Sequence, residues 1–187
     1  MEHYLDIRLL PDPAFVPPVL MNALFAKLHR GLATLQTRAI GISFPDVKKQ
    51  VSSLGERLRL HGGDSELERL MALSWLTGMH DHVHVEPIRP VPEVVRYRVV
   101  YRVQAKSSPQ RLRRRWMKRK GLSEEEARQA IPDNVAERLD LPFITLTSQS
   151  TGKRFHLFIK HGPLHDRPTP GNFSNYGLSR TSTVPWF

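Results

Sequence analysis

The amino-acid sequence predicts an α+β protein, with helices and strands following one another along 187 residues. Three observations predict it. Segments of apolar period two alternate with segments of period 3.6 through the first half of the chain. A proline-rich stretch at Pro87, Pro90 and Pro92 then interrupts the pattern. Beyond it, a long two-faced strand is followed by a densely cationic helix.

The first strand covers residues 3–10, with Leu5, Ile7 and Leu9 on one face and Tyr4, Asp6 and Arg8 on the other. Pro11, Pro13, Pro17 and Pro18 punctuate the segment after it. A helix is expected over 19–35, because Leu20, Leu24 and Leu28 with Met21, Phe25 and Leu32 make one apolar stripe. Residues 39–44 and 56–61 read as strands. Ser65 with Glu68 suggests a capping box opening a second helix to about residue 76. A fourth strand is expected within 81–86. The order βαββαβ is the ferredoxin-like, or RRM-like, pattern. The prolines set a boundary, giving an N-terminal domain of residues 1–94 and a second α/β domain of residues 95–187.

In the second domain, residues 96–106 form a long alternating strand. Arg96, Arg98, Arg102, Gln104 and Lys106 share a face broken by Val100. Residues 111–120, RLRRRWMKRK, carry seven positive charges and no negative one. On a helix, Arg111, Arg114, Arg115 and Lys118 share one face, Leu112 and Trp116 another, and Arg119 lies at the seam. The apolar pair is expected to dock the helix and the cations to face outward. Ser123 with Glu126 forms another capping box, and Asp133 caps a short helix to about residue 139. Strands are expected over 143–148 and 154–160, with a turn at Ser150–Gly152 between them. The tail, rich in Pro, Gly, Ser and Asn, reads as irregular.

Composition narrows the function. The formal net charge is +10 and hydrophobic residues make up 40%. A real core is therefore expected, with a long-range attraction for polyanions, nucleic acid being the usual one. The chain has no cysteine, which excludes disulfides, thiolate metal sites and cysteine catalysis. No apolar run approaches a membrane span, so a cytoplasmic, non-membrane protein is expected.

Several residues could carry chemistry. Arg102 and Gln104 lie two apart on one strand face, and Arg and Gln pair bidentately with guanine and adenine. A polar sheet face is the alternative. His29 sits at the edge of the first helix's apolar stripe, where an imidazole could act as a general base or be a satisfied polar residue. His80, His82 and His84 alternate and invite a metal reading, but Asp81 and Glu86 complete no familiar ligand set, so a solvated edge strand is the default. No G-x-S-x-G surrounds Ser148, and no Walker or G-x-G-x-x-G loop occurs. Phe155, Tyr176 and Trp186 could stack on bases or fill core.

Taken as ordered blocks, the chain resembles the type I-F CRISPR repeat-processing endoribonucleases, Cas6-type enzymes that cut precursor CRISPR RNA. The blocks are HYLDIRL at the start, KLH ending at His29, RVQAK, RLRRR, LSEEEAR, IPD, LPFITLTSQSTG, FHLFIKHGPL, NYGLS and the terminal VPWF. The likeness is weaker over 47–53, 80–95 and 165–172. It implies a ferredoxin-like domain, a second domain with an arginine-rich helix, and a CRISPR repeat hairpin as substrate. By that resemblance, His29, Ser148 and Tyr176 form the catalytic site. Arg102 and Gln104 read bases at the foot of the stem, and Phe155 stacks under its last pair. Arg114, Arg115, Lys118 and Arg119 contact phosphates, with Arg111 of the same cationic helix expected to bind RNA beside them, and Lys118 stands where the family pattern has arginine. That keeps the charge but loses the bidentate fork.

The implied reaction needs no metal and no cofactor. The ribose 2′-OH attacks the adjacent phosphorus, leaving a 2′,3′-cyclic phosphate and a 5′-OH, and DNA, lacking that nucleophile, is not cut. The resemblance also implies that the hairpin product stays bound and that the partners are other subunits of a type I-F surveillance complex. Two other readings stand beside it: a non-catalytic hairpin-binding assembly subunit, and a metal-dependent nuclease using His80, His82 and His84.

Overall fold

The structure, a computed structural model, describes residues 1–47, 53–104, 109–132 and 139–187. By packing, the chain divides into two compact units, Met1–Arg102 with Leu141–Phe187, and Val103–Asp140. The boundary expected near residue 94 falls between the strands of two sheets.

In the first unit the elements β1 (His3–Leu9), α1 (Pro17–Leu35), β2 (Gly41–Ser43), β3 (Arg57–Gly62), α2 (Asp64–Ala72) and β4 (Val83–Val85) follow one another as βαββαβ. The strand order β2-β3-β1-β4, antiparallel throughout, is the ferredoxin-like arrangement. A two-residue strand, β5 (Arg89–Pro90), adds to β1. Leu5, Ile7 and Leu9 of β1 are buried against the apolar stripe of α1, as their alternation demands.

Helix α1 starts two residues earlier than the apolar stripe suggests, because Pro17 and Pro18 occupy its first positions after Val16. Proline is pre-organised there, where its missing N–H is no loss. The capping box expected at Ser65 does not form. Gly63 is the N-cap, Ser65 lies inside the first turn, and the helix ends at Ala72 before a single 3-10 turn, Ser74–Leu76.

Beneath the sheet, Asp6 accepts two hydrogen bonds from Arg59, at 2.7 and 2.8 Å, and both side chains are buried. The Arg59 guanidinium lies between the rings of Tyr4 and Phe187, 4.6 and 4.0 Å from their centroids, and donates to the main-chain oxygen of Phe187. Rings and carboxylate together replace the water that a buried guanidinium loses.

The second sheet has the order β7-β8-β6-β9, from β6 (Arg96–Val103), β7 (Phe143–Thr147), β8 (Arg154–His161) and β9 (Thr183–Trp186). Val100, the interruption in the basic face of β6, is buried, so that face turns inward. Arg98 is satisfied there by the Gly162 carbonyl, at 3.0 and 2.6 Å, and lies 4.4 Å over the Trp186 ring. Val100, Ile144, Leu146, Leu157, Ile159 and Val184 join the residues of the first sheet in one core.

The second unit contains α3 (Pro109–Lys120) and α4 (Glu124–Ala130). Ser123 and Glu126 make the reciprocal capping box read from the sequence, and the hydrogen bonds from Ser123 hold the Glu126 carboxyl below its usual pKa. Leu112 is half-buried, but Trp116 is not a docking residue. It is 37% exposed, and Lys120 covers its ring at 4.3 Å. Arg113 takes over the anchoring, donating to the Ile131 carbonyl at 2.8 Å beside half-buried Met117. The end of the strand expected to Lys106, and the helix expected after Asp133, lie outside the described residues. Among the described residues no helix is long and apolar enough to cross a membrane.

Candidate active site

One flank of α1 carries Asn22, Ala26, His29 and Arg30, at i, i+4, i+7 and i+8. This flank borders the buried stripe, so its side chains are anchored at the base and open at the tip. Asn22 Oδ1 accepts the Thr145 N–H at 2.8 Å, capturing a main-chain donor of β7, the strand at the edge of its sheet. The helix that carries His29 is thereby tied to the strand that runs into Ser148. A cleft of about 470 Å³ opens beside this contact. Its walls include His29, Arg30, Arg102, Ser148, Phe155 and Tyr176.

His29 is held in a defined way. Its Nδ1 lies 2.8 Å from the Asn175 carbonyl oxygen. A carbonyl only accepts, so Nδ1 carries the hydrogen and the neutral ring keeps its lone pair on Nε2. Tyr176 stacks on the imidazole, with centroids 4.1 Å apart and planes 9° from parallel. Tyr176 is itself backed by Phe25, at 6.4 Å and 9°. The main chain thus sets the tautomer and the two rings set the plane.

The turn that presents Asn175 and Tyr176 is itself pinned. Ser174 and Leu178 bond across it, and Ile42 donates to the Gly177 carbonyl. Gly177 has φ +68°, and a Cβ there would meet Ile42 at 2.6 Å. Only glycine fits both the conformation and the approach.

Ser148 follows the last residue of β7 and opens a tight turn to β8. Its hydroxyl accepts the Thr151 N–H at 3.3 Å and lies 3.2 Å from the Ser150 hydroxyl. Arg102 reaches in from β6 with its guanidinium 5.7 Å over the Phe155 ring, and its buried Nε has no hydrogen-bond partner among the described residues. None of the described residues lining the cleft is a carboxylate, while two are arginines. Such a cleft favours an anionic occupant with a planar group to stack on Phe155.

The structure therefore brings together His29, Ser148, Tyr176, Arg102 and Phe155. Gln104 lies just past the end of β6, in the second unit, and is exposed. Arg111, Arg114, Arg115, Lys118 and Arg119 project from α3, all exposed and none ion-paired to a described residue. The alternate histidines do not form a ligand set. Only His84 lies in β4, His82 is bonded to Asp12 at 2.7 Å, and no metal-binding cluster occurs among the described residues. Sequence reading misses Asn175, because its contribution is a main-chain carbonyl. It misses Asn22 and Arg30 as well, although both share the helical flank of His29.

Comparison with known proteins agrees with the ordered blocks. The family model described as "CRISPR-associated protein (Cas_Csy4)" matches residues 4–187. A protein of Pseudomonas aeruginosa (strain UCBPP-PA14) named "CRISPR-associated endonuclease Cas6/Csy4" is 56% identical over 187 residues, covering 100% of both chains. A protein of Escherichia coli (strain UTI89 / UPEC) with the same name is 50% identical, again over 100% of both. With a ferredoxin-like unit, an imidazole fixed in an anion-seeking cleft and a match along nearly all its length, the chain belongs to the Cas_Csy4 family of CRISPR-associated proteins.

Proposed function

We propose that the chain is an endoribonuclease that cuts CRISPR repeat hairpins in precursor RNA by attack of a ribose 2′-OH, without a metal ion. The observation that carries this reading is the bond from His29 Nδ1–H to the Asn175 carbonyl. It leaves the lone pair of the neutral ring on Nε2, in a cleft lined by arginines and by a serine hydroxyl. Full-length likeness to proteins named as CRISPR-associated endonucleases supports the same reading.

In this mechanism His29 Nε2 takes the 2′ proton as the oxygen attacks phosphorus in line. Ser148 holds the attacking ribose, which is catalysis by orientation. Tyr176 and Asn175 keep the imidazole aimed. The O2′–P bond forms, the P–O5′ bond breaks, and the products carry a 2′,3′-cyclic phosphate and a 5′-OH. Phe155 stacks on the last base pair, Arg102 and Gln104 read bases, and the exposed cations of α3 neutralise stem phosphates. The product hairpin stays bound, and the protein remains in the cytoplasm with other subunits of a surveillance complex.

The test uses the protein in excess EDTA with a repeat-derived RNA hairpin and the same hairpin bearing one 2′-deoxy sugar. One cut leaving a cyclic phosphate, absent from the deoxy hairpin, is expected. His29→Ala is expected to slow cutting by about 10²–10⁴-fold, the usual worth of a general base, with hairpin affinity retained. Cutting of the deoxy hairpin, or cutting only when metal is added, would refute the mechanism. Tight binding with no cut under any condition would leave a hairpin-binding assembly subunit.

A further inference from the structure

We propose that Arg30 is a further catalytic residue, whose guanidinium binds the scissile phosphate as negative charge builds on it. This rests on the endoribonuclease reading of the cleft. The starting point is a charge that the fold leaves unused. Arg30 is exposed, lines the cleft with His29 and Ser148, and has no hydrogen-bond or ion-pair partner among the described residues. Arginines on neighbouring strands and on α2 are paired: Arg8 with Glu86, Arg57 with Asp46 and Arg69 with Glu66.

Position along the helix points the same way. Arg30 follows His29 directly, about 100° further round the same helix, with the small Ala26 one turn before. The imidazole and the guanidinium therefore flank one space, and Ala26 leaves that space open. Of the two arginines in the cleft, Arg102 lies over the Phe155 ring, with its Nε buried, and is assigned to reading a base. Arg30 is the cation left to meet the reacting phosphate.

The chemistry needs such a group. As the 2′ oxygen adds to phosphorus, the phosphoryl oxygens gain charge while His29 takes up the 2′ proton. The 5′ oxygen leaves with a proton from water, and His29 later releases its own to solvent. A guanidinium fork on the phosphoryl oxygens stabilises that charge most where it is greatest, in the transition state. Its effect should therefore fall on the rate of cutting and only slightly on hairpin affinity.

The experiment compares the wild type with Arg30→Gln and Arg30→Lys. Cleavage of the repeat hairpin is measured at saturating enzyme in a single turnover. Affinity is measured on the 2′-deoxy hairpin, which is bound but not cut. Arg30→Gln is expected to cut about 10–100-fold more slowly, with affinity changed less than about threefold, and Arg30→Lys to recover part of the rate. A second readout uses the two non-bridging phosphorothioate isomers at the cleaved bond. The wild type should discriminate between them, and Arg30→Gln should lose discrimination at the oxygen the guanidinium holds. A wild-type rate for Arg30→Gln, or a defect that vanishes at saturation, would overturn the proposal while leaving the endoribonuclease reading intact. Failure of the wild type to cut the hairpin, or cutting of the deoxy form, would overturn the reading beneath it.

Discussion

Acidification should loosen this fold through His161. Its ring, on β8, is packed edge-on between Phe44 and Trp186, and its Nε2 is buried without a partner among the described residues. Burial, reinforced by the nearby Arg98 guanidinium, pushes the His161 pKa down to about 4. The unfolded chain has an ordinary imidazole near 6.5. Above that value neither state binds the proton, and the native state keeps its full stability. Below it the unfolded state is protonated first, so stability falls with pH until the folded group also titrates near 4. Between pH 7.5 and pH 5 the loss from this one group is about 2 kcal/mol, with a ceiling of about 3 kcal/mol below pH 4. His61, fully buried and also held well below its ordinary value by burial, adds a loss of the same sign. Urea unfolding followed by circular dichroism at pH 7.5, 6 and 5 measures the slope. In His161→Phe, which keeps an aromatic ring against Phe44 and Trp186, the loss over that range should shrink by about 2 kcal/mol. Equal losses in wild type and variant would refute the reasoning.

Other perturbations test other parts of the structure. Asn22→Ala leaves the Thr145 N–H without its partner and should cost about 1–3 kcal/mol, read by thermal unfolding, together with a lower single-turnover rate. Asn22→Asp keeps the acceptor oxygen and should restore most of both. Asp6→Ala strands the buried Arg59 guanidinium and should destabilise the protein by about 3–5 kcal/mol, the largest loss expected of these substitutions, in a denaturant titration. Tyr176→Phe preserves the stack on His29 and should retain cutting, whereas Tyr176→Leu should slow it with hairpin affinity unchanged. A phenylalanine variant as slow as the leucine one would transfer the role from the ring to the hydroxyl.

Much of the fold is legible in the sequence, for physical reasons that differ by element. Strand β1 shows its period because apolar side chains on one face alternate with Tyr4, Asp6 and Arg8 on the other, and helix α1 because one stripe is buried and the opposite face is not. Ser123 and Glu126 state their cap outright. The arrangement β2-β3-β1-β4 comes from element order, since βαββαβ has few good ways to pack. The hidden parts depend on tertiary partners. β9 is four residues long and contains Pro185, so it reads as tail until β6 supplies a partner. Ser65 resembles a cap because the motif is present, but Gly63 already provides the extended turn into α2. Trp116 resembles a docking residue because aromatic rings usually are, while Arg113 has the carbonyl within reach. At the cleft, His29 and Ser148 can be named from their blocks. The carbonyl that fixes the imidazole's hydrogen belongs to no side chain, and only the fold reveals it.

The bond from His29 to the Asn175 carbonyl joins residues 146 apart in sequence. During synthesis the helix bearing His29 leaves the ribosome long before the turn that aims it exists. A nascent chain, or one stopped short of Asn175, has the imidazole but neither the carbonyl that sets its tautomer nor the ring that holds its plane. Under the proposed mechanism, cutting competence arrives only once that last turn has docked on Ile42. The cationic helix α3 emerges earlier, so on the same reading a growing chain would gather RNA before it could cleave it. Under that mechanism, such timing keeps a half-made chain from cutting the RNA it has gathered.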